Sequence, residues 1–151
     1  MVYNVFVDGS VRDGNPGIAS IAVYVNRDGK DVYRHSWLLP MKATSNEAEY
    51  EAVLAGIEYL KTANESYKLD REECFIITDS QLVYGHVVKG WKCNFEYLRK
   101  LRDYVIEQLK SLPFTVHIKQ MGRENNEVAN KLAQDTTLKA KKERTKVSER
   151  I

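Results

Sequence analysis

The fold of this chain can be argued from one stretch, Tyr3-Asn4-Val5-Phe6-Val7-Asp8-Gly9-Ser10. Its apolar residues end on a carboxylate, Asp8, and Gly9-Ser10 then interrupts the run. This pattern predicts a short buried strand with an acidic side chain at its end. A second run, Cys74-Phe75-Ile76-Ile77-Thr78-Asp79-Ser80, has the same form. We therefore expect two neighbouring strands that each end in a carboxylate.

The composition is that of one soluble domain. The chain has 151 residues, 43% hydrophobic and 29% charged, which is enough to bury a core. The sequence contains no apolar run of membrane-spanning length and no signal-peptide pattern at its N-terminus. Its two cysteines, Cys74 and Cys93, are too few for a disulfide framework and are expected to be free thiols in a reducing compartment. We expect a cytoplasmic monomer that binds neither a membrane nor an organic cofactor.

Positive charge is concentrated at the C-terminus. The formal net charge is +2, but residues 139–150 contain six basic side chains against Glu143 and Glu149. We therefore divide the chain into a domain at 1–138 and a basic tail at 139–151. The tail is either a solvated, frayed end or an additional contact for phosphate groups. Any nucleic-acid interaction of the remaining, slightly acidic domain must depend on individually placed residues.

The pattern of the whole chain predicts an α/β domain. Strands are predicted at 3–10, 18–26, 31–38, 74–79 and 115–120, and helices at 43–63, 80–89, 95–112 and 126–139. The first three strands form an antiparallel meander through the hairpin turn Arg27-Asp28-Gly29. Right-handed crossovers then place the fourth strand beside the first and parallel to it. The result is a mixed five-stranded sheet, three antiparallel strands followed by two parallel ones, with helices on both faces.

This topology brings acidic residues together. Asp8 and Asp79 both lie at carboxyl ends of adjacent parallel strands, which are about 4.8 Å apart. Glu49 shares the sheet-facing stripe of the first helix and is expected at the same level. Three oxygen ligands without His or Cys favour Mg²⁺ or Mn²⁺ over Zn²⁺. Taken singly, each strand-end Asp has an alternative role in a turn, and Glu49 has one as a first-turn helix-dipole acid.

Four sequence blocks carry a family resemblance. They are Val7-Asp8-Gly9-Ser10 with Gly14-Asn15-Pro16-Gly17; Thr44-Ser45-Asn46-Glu47-Ala48-Glu49-Tyr50; Thr78-Asp79-Ser80-Gln81; and Arg123-Glu124-Asn125-Asn126-Glu127-Val128-Ala129-Asn130-Lys131-Leu132-Ala133. Together they resemble the type 1 ribonuclease H family, enzymes that cut RNA in RNA–DNA hybrids. The resemblance covers residues 1 to about 136. It implies a ribonuclease H-like fold.

The resemblance also implies a catalytic metal site. The family holds two Mg²⁺ ions with four acidic groups, which correspond here to Asp8, Glu49, Asp79 and position 130. This chain has Asn130 in place of the usual Asp. Asn130 is a tolerated natural variant, an engineered change that slows catalysis, or the mark of a weakened or inactive protein, and the sequence leaves these alternatives open.

Auxiliary groups differ from the family as well. Many members carry a His in the loop before the last helix, where this chain has Arg123 and Glu124, which are candidates to replace it in part. Glu127 matches an acidic position near the second metal in some members, and its alternative role is that of a first-turn dipole acid.

Substrate contacts are also implied by the resemblance. They come from Gly9, Ser10, Asn15, Asn46, Gln81 and Trp91, in addition to Glu49. Asn and Gln offer both a donor and an acceptor to the minor groove, where 2′-hydroxyls distinguish RNA from DNA. The alternatives are helix capping for Asn46, solvent exposure for Gln81 and buried packing for Trp91.

The expected function is hydrolysis of the RNA strand of RNA–DNA hybrids by two metal ions, with 5′-phosphate and 3′-hydroxyl products. The main alternative is a weakened or inactive module that binds hybrids or other nucleic acids on the same fold. A second alternative is an enzyme of the same superfamily that acts on double-stranded RNA or transfers DNA strands.

Overall fold

The computed structural model describes residues 1–149. Arg150 and Ile151, the last residues of the predicted basic tail, lie outside the described residues. The strands are β1 (Val2–Arg12), β2 (Ile18–Arg27), β3 (Lys30–Leu38), β4 (Glu73–Thr78) and β5 (Val116–Gln120). The helices are α1 (Ser45–Tyr67), α2 (Gln81–Val87), α3 (Glu96–Ser111) and α4 (Glu127–Glu149), with a short 3-10 turn at Arg123–Asn125. Within residues 1–149, no helix combines the length and apolar character that crossing a membrane requires.

The five strands form one mixed sheet in the order β3-β2-β1-β4-β5. β1 pairs antiparallel with β2 and parallel with β4, and β4 pairs parallel with β5. The predicted topology is therefore confirmed. Cys74, Ile76 and Ile77 of β4 are all buried, because helices and sheet neighbours leave this central strand little exposed surface. This burial accounts for the continuous apolar run in the sequence.

Helix α1 packs on one face of the sheet. Its predicted capping box is present: the Thr44 side chain accepts from the Glu47 amide, and the Glu47 carboxylate accepts from the Thr44 amide. Its predicted apolar stripe, which includes Val53 and Leu60, is fully buried. Gly56 allows the close approach, since a Cβ there would lie 3.0 Å from Cγ1 of Val7.

Helix α1 continues beyond its predicted end at residue 63, to Tyr67. It ends where Lys68 adopts a left-handed conformation with φ of 52°. The Asn64 side chain accepts a hydrogen bond from the Leu69 amide at 2.6 Å, which satisfies a donor just beyond the helix. The end of α1 therefore depends on a side-chain hydrogen bond and not on a Gly or Pro in the sequence.

Helix α4 covers the opposite face of the sheet, over β1, β2 and β3. The contact is built from small residues, with Ala129 and Ala133 packed on Ala22. The predicted end of this helix at residue 139 was wrong, since α4 continues to Glu149. Residues 127–149 contain no Gly or Pro and are rich in Ala, Lys and Glu, which favour helix. Most of residues 139–149 are nonetheless exposed.

A buried polar pair lies where α1, α2 and α3 meet. Tyr50 is fully buried, and its hydroxyl forms a 2.8 Å hydrogen bond with Nδ1 of His86. Burial, together with the charge of Arg102, lowers the pKa of His86 below its ordinary value of 6.5. Both cysteines are buried free thiols, as predicted.

We expect His86 to make the domain less stable in mild acid. The pKa of His86 is lower in the folded protein than the ordinary value of 6.5. Its contribution to stability is therefore fully present above pH 6.5. As the pH falls from 6.5 towards the folded pKa, that stability is lost, because the unfolded chain binds more protons than the folded one. His86→Gln should flatten this pH dependence. It should also lower the free energy of unfolding at pH 7.5 by about 1–2 kcal/mol, because Gln reproduces the hydrogen bond with Tyr50 only imperfectly. Urea unfolding between pH 7.5 and 5 measures both effects. His117→Gln, at an exposed histidine, is the control. An unchanged pH slope in His86→Gln would contradict the assignment.

Candidate active site

Asp8 of β1 and Asp79, which follows β4, lie at the same level of the sheet. The prediction that the first strand ends at Asp8 and is interrupted by Gly9-Ser10 was wrong, because β1 continues to Arg12. It is the parallel pairing with β4 that ends before Asp8, at Phe6. The parallel register pairs Phe6 with Ile77, and two further residues along each strand are Asp8 and Asp79. Together with Glu49 of α1, they place one carboxylate oxygen each within 4.8 Å of one another. Ser80 follows as the N-cap of α2, which fixes the chain directly after Asp79.

Glu49 reaches this point because α1 lies directly against Gly9. A Cβ at Gly9 would be 2.6 Å from the backbone carbonyl carbon of Ala48, so any side chain at position 9 would force the helix away. At this close approach, the Gly9 amide donates a 2.7 Å hydrogen bond to Oε1 of Glu49. The glycine in the Asp8-Gly9 sequence therefore positions the third carboxylate.

Burial and mutual repulsion disfavour the charged forms of Asp8 and Glu49. Burial raises the pKa of Glu49 well above its ordinary range, and the charges of Asp8 and Asp79 raise it further. Burial also raises the pKa of Asp8; the charge of Asp79 adds to this increase, and the hydrogen bond from Asn130 opposes it. Oε2 of Glu49 and Oδ2 of Asp79 are buried without a hydrogen-bond partner among residues 1–149. Carboxylate oxygens that are close, buried and unpartnered fit a divalent cation such as Mg²⁺ or Mn²⁺.

Asn130 joins the cluster from α4. Its Nδ2 donates a 2.7 Å hydrogen bond to Oδ2 of Asp8. The structure therefore brings all four expected positions together, but the fourth contributes a neutral amide. As a donor it stabilises the charged form of Asp8, whereas an aspartate at this position would add a fourth negative charge.

Asn126 also belongs to the site, although the sequence pattern did not predict this role. It is buried, and its Nδ2 donates a 2.9 Å hydrogen bond to the carbonyl of Val7, the residue before Asp8. Its own carbonyl accepts from the Asn130 amide at 3.0 Å. Asn126 thus fastens the start of α4 to the end of β1. An Asn just before a helix indicates an N-cap, and this local signal does not reveal a bond to a strand 119 residues away.

The three auxiliary candidates lie around the cluster. Arg123 is 74% exposed, and its Nε is 4.0 Å from Oδ2 of Asp79. Glu124 and Glu127 are exposed and line a separate groove with Phe6 and Tyr24. The structure therefore brings only Arg123 of these three to the carboxylates.

The expected substrate-contacting residues form two groups. Gly9 and Ser10 continue β1 past Asp8. Asn15, although exposed, uses its side-chain oxygen to accept from the Ser45 amide at 2.9 Å, so it supports the first turn of α1.

The second group lies on or beside the helices. Asn46 is half-exposed in α1, and Gln81 is exposed at the start of α2. Trp91 lies against Gly85, but 48% of its surface is exposed. The alternative considered for Trp91, a buried packing role, is therefore not observed. These three side chains are available at the surface near the helix termini.

Comparison with known proteins identifies the family. A family model described as reverse transcriptase-like matches residues 6–136. The bifunctional protein Rv2228c of Mycobacterium tuberculosis is 33% identical over 130 residues, which are 85% of this chain and 33% of that protein. The chain thus spans about a third of the length of the curated mycobacterial relatives it matches.

Solved structures agree with this match. The crystal structure of RNase H1 from the halophilic archaeon Halobacterium salinarum is 30% identical, with a TM-score of 0.75 over 89% of this chain and 96% of that one. LC11-RNase H1, solved in complex with an RNA/DNA hybrid, is 25% identical, with a TM-score of 0.81 over 91% of this chain and 98% of that one. With the carboxylate cluster and these matches across nearly the whole fold, the chain belongs to the reverse transcriptase-like group and, within it, to the type 1 ribonuclease H family.

Proposed function

We propose that this domain is an endoribonuclease that hydrolyses the RNA strand of RNA–DNA hybrids and leaves 5′-phosphate and 3′-hydroxyl ends. The observation that carries the proposal is the convergence of Asp8, Glu49 and Asp79 within 4.8 Å. The choice of substrate is supported by LC11-RNase H1, which was solved with an RNA/DNA hybrid.

Four residues would hold two Mg²⁺ or Mn²⁺ ions. The carboxylates of Asp8, Glu49 and Asp79 and the amide oxygen of Asn130 would supply the ligands. When bound, such ions activate a water molecule and stabilise the charge on the leaving 3′ oxygen. The unpartnered oxygens of Glu49 and Asp79 support this ligand set.

The surrounding residues orient these ligands. The Gly9 amide holds one oxygen of Glu49 and leaves Oε2 free of hydrogen bonds among residues 1–149. Asn126 fastens α4 to β1, so Asn130 stays within reach of Asp8. Arg123, exposed beside Asp79, would attract the phosphate of the substrate. Glu124 and Glu127, as auxiliary acids, would act only after the loop around them rearranges.

Recognition would take place in the minor groove of the hybrid. The backbone at Gly9 and Ser10, with the side chains of Asn46 and Gln81, would contact 2′-hydroxyls and base edges. Trp91 would offer its exposed face to the DNA strand. Asn15 would act mainly through its bond to the Ser45 amide. Sequence specificity should be low, because minor-groove edges are degenerate.

A weakened hybrid-binding module is the second candidate. The specific observation in its favour is the neutral Asn130, which donates to Asp8 where a fourth carboxylate would bind the second ion more strongly. The two candidates differ in rate and share the substrate, so a cleavage assay separates them.

Purified protein with Mg²⁺ or Mn²⁺ should cut only the RNA strand of a labelled RNA–DNA hybrid and leave single-stranded RNA and double-stranded DNA intact. Asp79→Asn should slow cleavage by more than about 100-fold, since even outer-shell partners of a metal are worth 10–100-fold. Gel analysis of end-labelled strands gives both the rate and the product ends. Binding of the hybrid without cleavage in either metal would favour the binding module instead.

Glu49→Gln should stabilise the metal-free protein while it abolishes cleavage. The change removes one of three crowded negative charges but keeps an acceptor for the Gly9 amide. In EDTA at pH 7.5, Tm should rise by about 3 °C, the shift that roughly 1 kcal/mol produces in a domain of this size. Mg²⁺ should raise the Tm of the unmodified protein more than that of the variant.

Glu65→Gln, at an exposed acid on the same helix, is the matched control and should change neither value. A lower Tm of Glu49→Gln in EDTA would show that the carboxylates do not repel one another as inferred.

Asn130→Asp should lower the stability of the metal-free protein and raise its affinity for Mg²⁺. A carboxylate in place of the donor to Asp8 adds like charge to the cluster, so the metal-free Tm should fall by a few degrees. Mg²⁺ should bind more tightly, and cleavage should accelerate by about 10-fold or more, because each decade requires only about 1.4 kcal/mol of transition-state stabilisation. Gln134→Glu adds the same charge at an exposed position one turn along α4 and should do neither. An unchanged cleavage rate in Asn130→Asp would mean that Asn130 is fully competent.

A further inference from the structure

A second polar groove lies at the far end of α4 from the carboxylates. It is a cavity of about 360 Å³ between the β1–β2 loop, the segment before α1 and the last turns of α4. We refer to it as the α4 groove. Its lining residues are Asp13, Ile18, Lys42, Lys141, Arg144, Thr145 and Ser148.

The α4 groove is basic. Lys141, Arg144 and Lys42 supply positive charge, and Asp13 is the single acidic lining residue. Lys141 pairs with Asp13 at 3.0 Å, a contact that ties the extended helix to the loop. Within residues 1–149, no carboxylate oxygen lies within 4.0 Å of a side-chain nitrogen of Arg144 or Lys42. These two side chains are therefore the unneutralised cationic donors of the groove.

The helix orders these side chains along one stripe. Lys141, Arg144, Thr145 and Ser148 are spaced at i, i+3, i+4 and i+7, which places them on the same face of α4. Lys142 and Lys146 lie on a different stripe and do not line the groove. Lys141 and Arg144 therefore line the groove, whereas Lys142 and Lys146 form a separate solvent stripe.

Helix α4 and strand β1 both connect the α4 groove to the carboxylate cluster and set the distance between them. Lys141 follows Asn130 by eleven residues, which is about three helical turns, so both residues share a face at a separation of about 16 Å. Strand β1 continues from Asp8 to Arg12, four residues or about 13 Å of extended chain, and Asp13 follows in the turn with a φ of 60°. A duplex rises about 3.4 Å per base pair along its axis, so a separation of about 16 Å along that axis spans about five base pairs.

We propose that the α4 groove binds the phosphate backbone of the hybrid about five nucleotides from the scissile phosphate, through Lys141 and Arg144. The inference rests on the proposed function, because the hybrid is the polyanion that the cluster would hold at the required distance. Ser148 offers a hydroxyl donor for the same oxygens, whereas the Thr145 hydroxyl donates to the Lys141 carbonyl at 3.1 Å. Asp13 opposes binding of phosphate by neutralising Lys141.

Salt-dependent binding tests this proposal without requiring catalysis. Affinity for a hybrid of about 20 base pairs is measured in EDTA by fluorescence anisotropy at several salt concentrations. The double variant Lys141→Ala/Arg144→Ala should bind about 10-fold more weakly at 100 mM salt, and its slope of log K against log salt should decrease in magnitude by up to about 2. Lys142→Ala/Lys146→Ala removes the same charge from the solvent stripe and should have a much smaller effect.

Asp13→Asn provides a test of opposite sign. It keeps a residue type that tolerates the positive φ of 60° at this position and releases Lys141 from its ion pair. Binding should become tighter. A purely structural role for the Lys141–Asp13 pair predicts weaker binding instead, and that result would contradict the proposal.

The predicted distance can be tested with duplexes in which a short ribonucleotide block fixes the point of cleavage. The defect of Lys141→Ala/Arg144→Ala in kcat/KM should appear only when the flank on one side exceeds about five base pairs. An unchanged affinity and salt slope in the double variant, with hybrid cleavage intact, would overturn the α4 groove alone. Absence of cleavage by every protein, with the binding differences preserved, would overturn the proposed activity and leave the groove standing.

Discussion

Repulsion among three closely spaced carboxylates is the constraint on which the rest of this structure depends. Asp8, Glu49 and Asp79 bring oxygens within 4.8 Å of one another, and burial raises the pKa of both Asp8 and Glu49. This repulsion opposes the arrangement, so rigid elements must hold it. The parallel pairing of β1 and β4 supplies two of the carboxylates, and the close contact of α1 with Gly9 supplies the third. The cost is electrostatic, and the divalent cation proposed for this point would offset it.

Asn130 reduces that cost in the absence of metal. Its amide donates to Asp8, and the hydrogen bond stabilises the carboxylate where a fourth negative charge would destabilise it. In the proposed two-ion site, the same neutrality would weaken the attraction for a second ion. Under that proposal, this single side chain balances the stability of the metal-free domain against metal affinity.

The sequence predicted those features that depend on local pattern. The apolar run ending at Asp79 indicated a central parallel strand, and the capping box at Thr44 indicated the start of α1; both are present. It did not predict contacts between distant residues. Asn126 carries the ordinary signal of a helix cap, yet its important bond is to the carbonyl of Val7. Asn15 matched a substrate-contacting position, but its side chain is engaged by the Ser45 amide. The end of α4 was also missed, because a run of lysines is compatible with both solvated coil and helix.

The extended α4 gives the molecule a fixed spacing between two sites of opposite charge. Asn126 anchors its first turn at the carboxylates, and Lys141 anchors a later turn at Asp13. The segment between them is held against the sheet by buried residues such as Ala133 and Thr137. A helix fastened at both ends cannot change the separation of those ends without breaking its packing. The carboxylate cluster and the basic α4 groove are therefore kept about 16 Å apart, as the proposed binding of one polyanion across both would require.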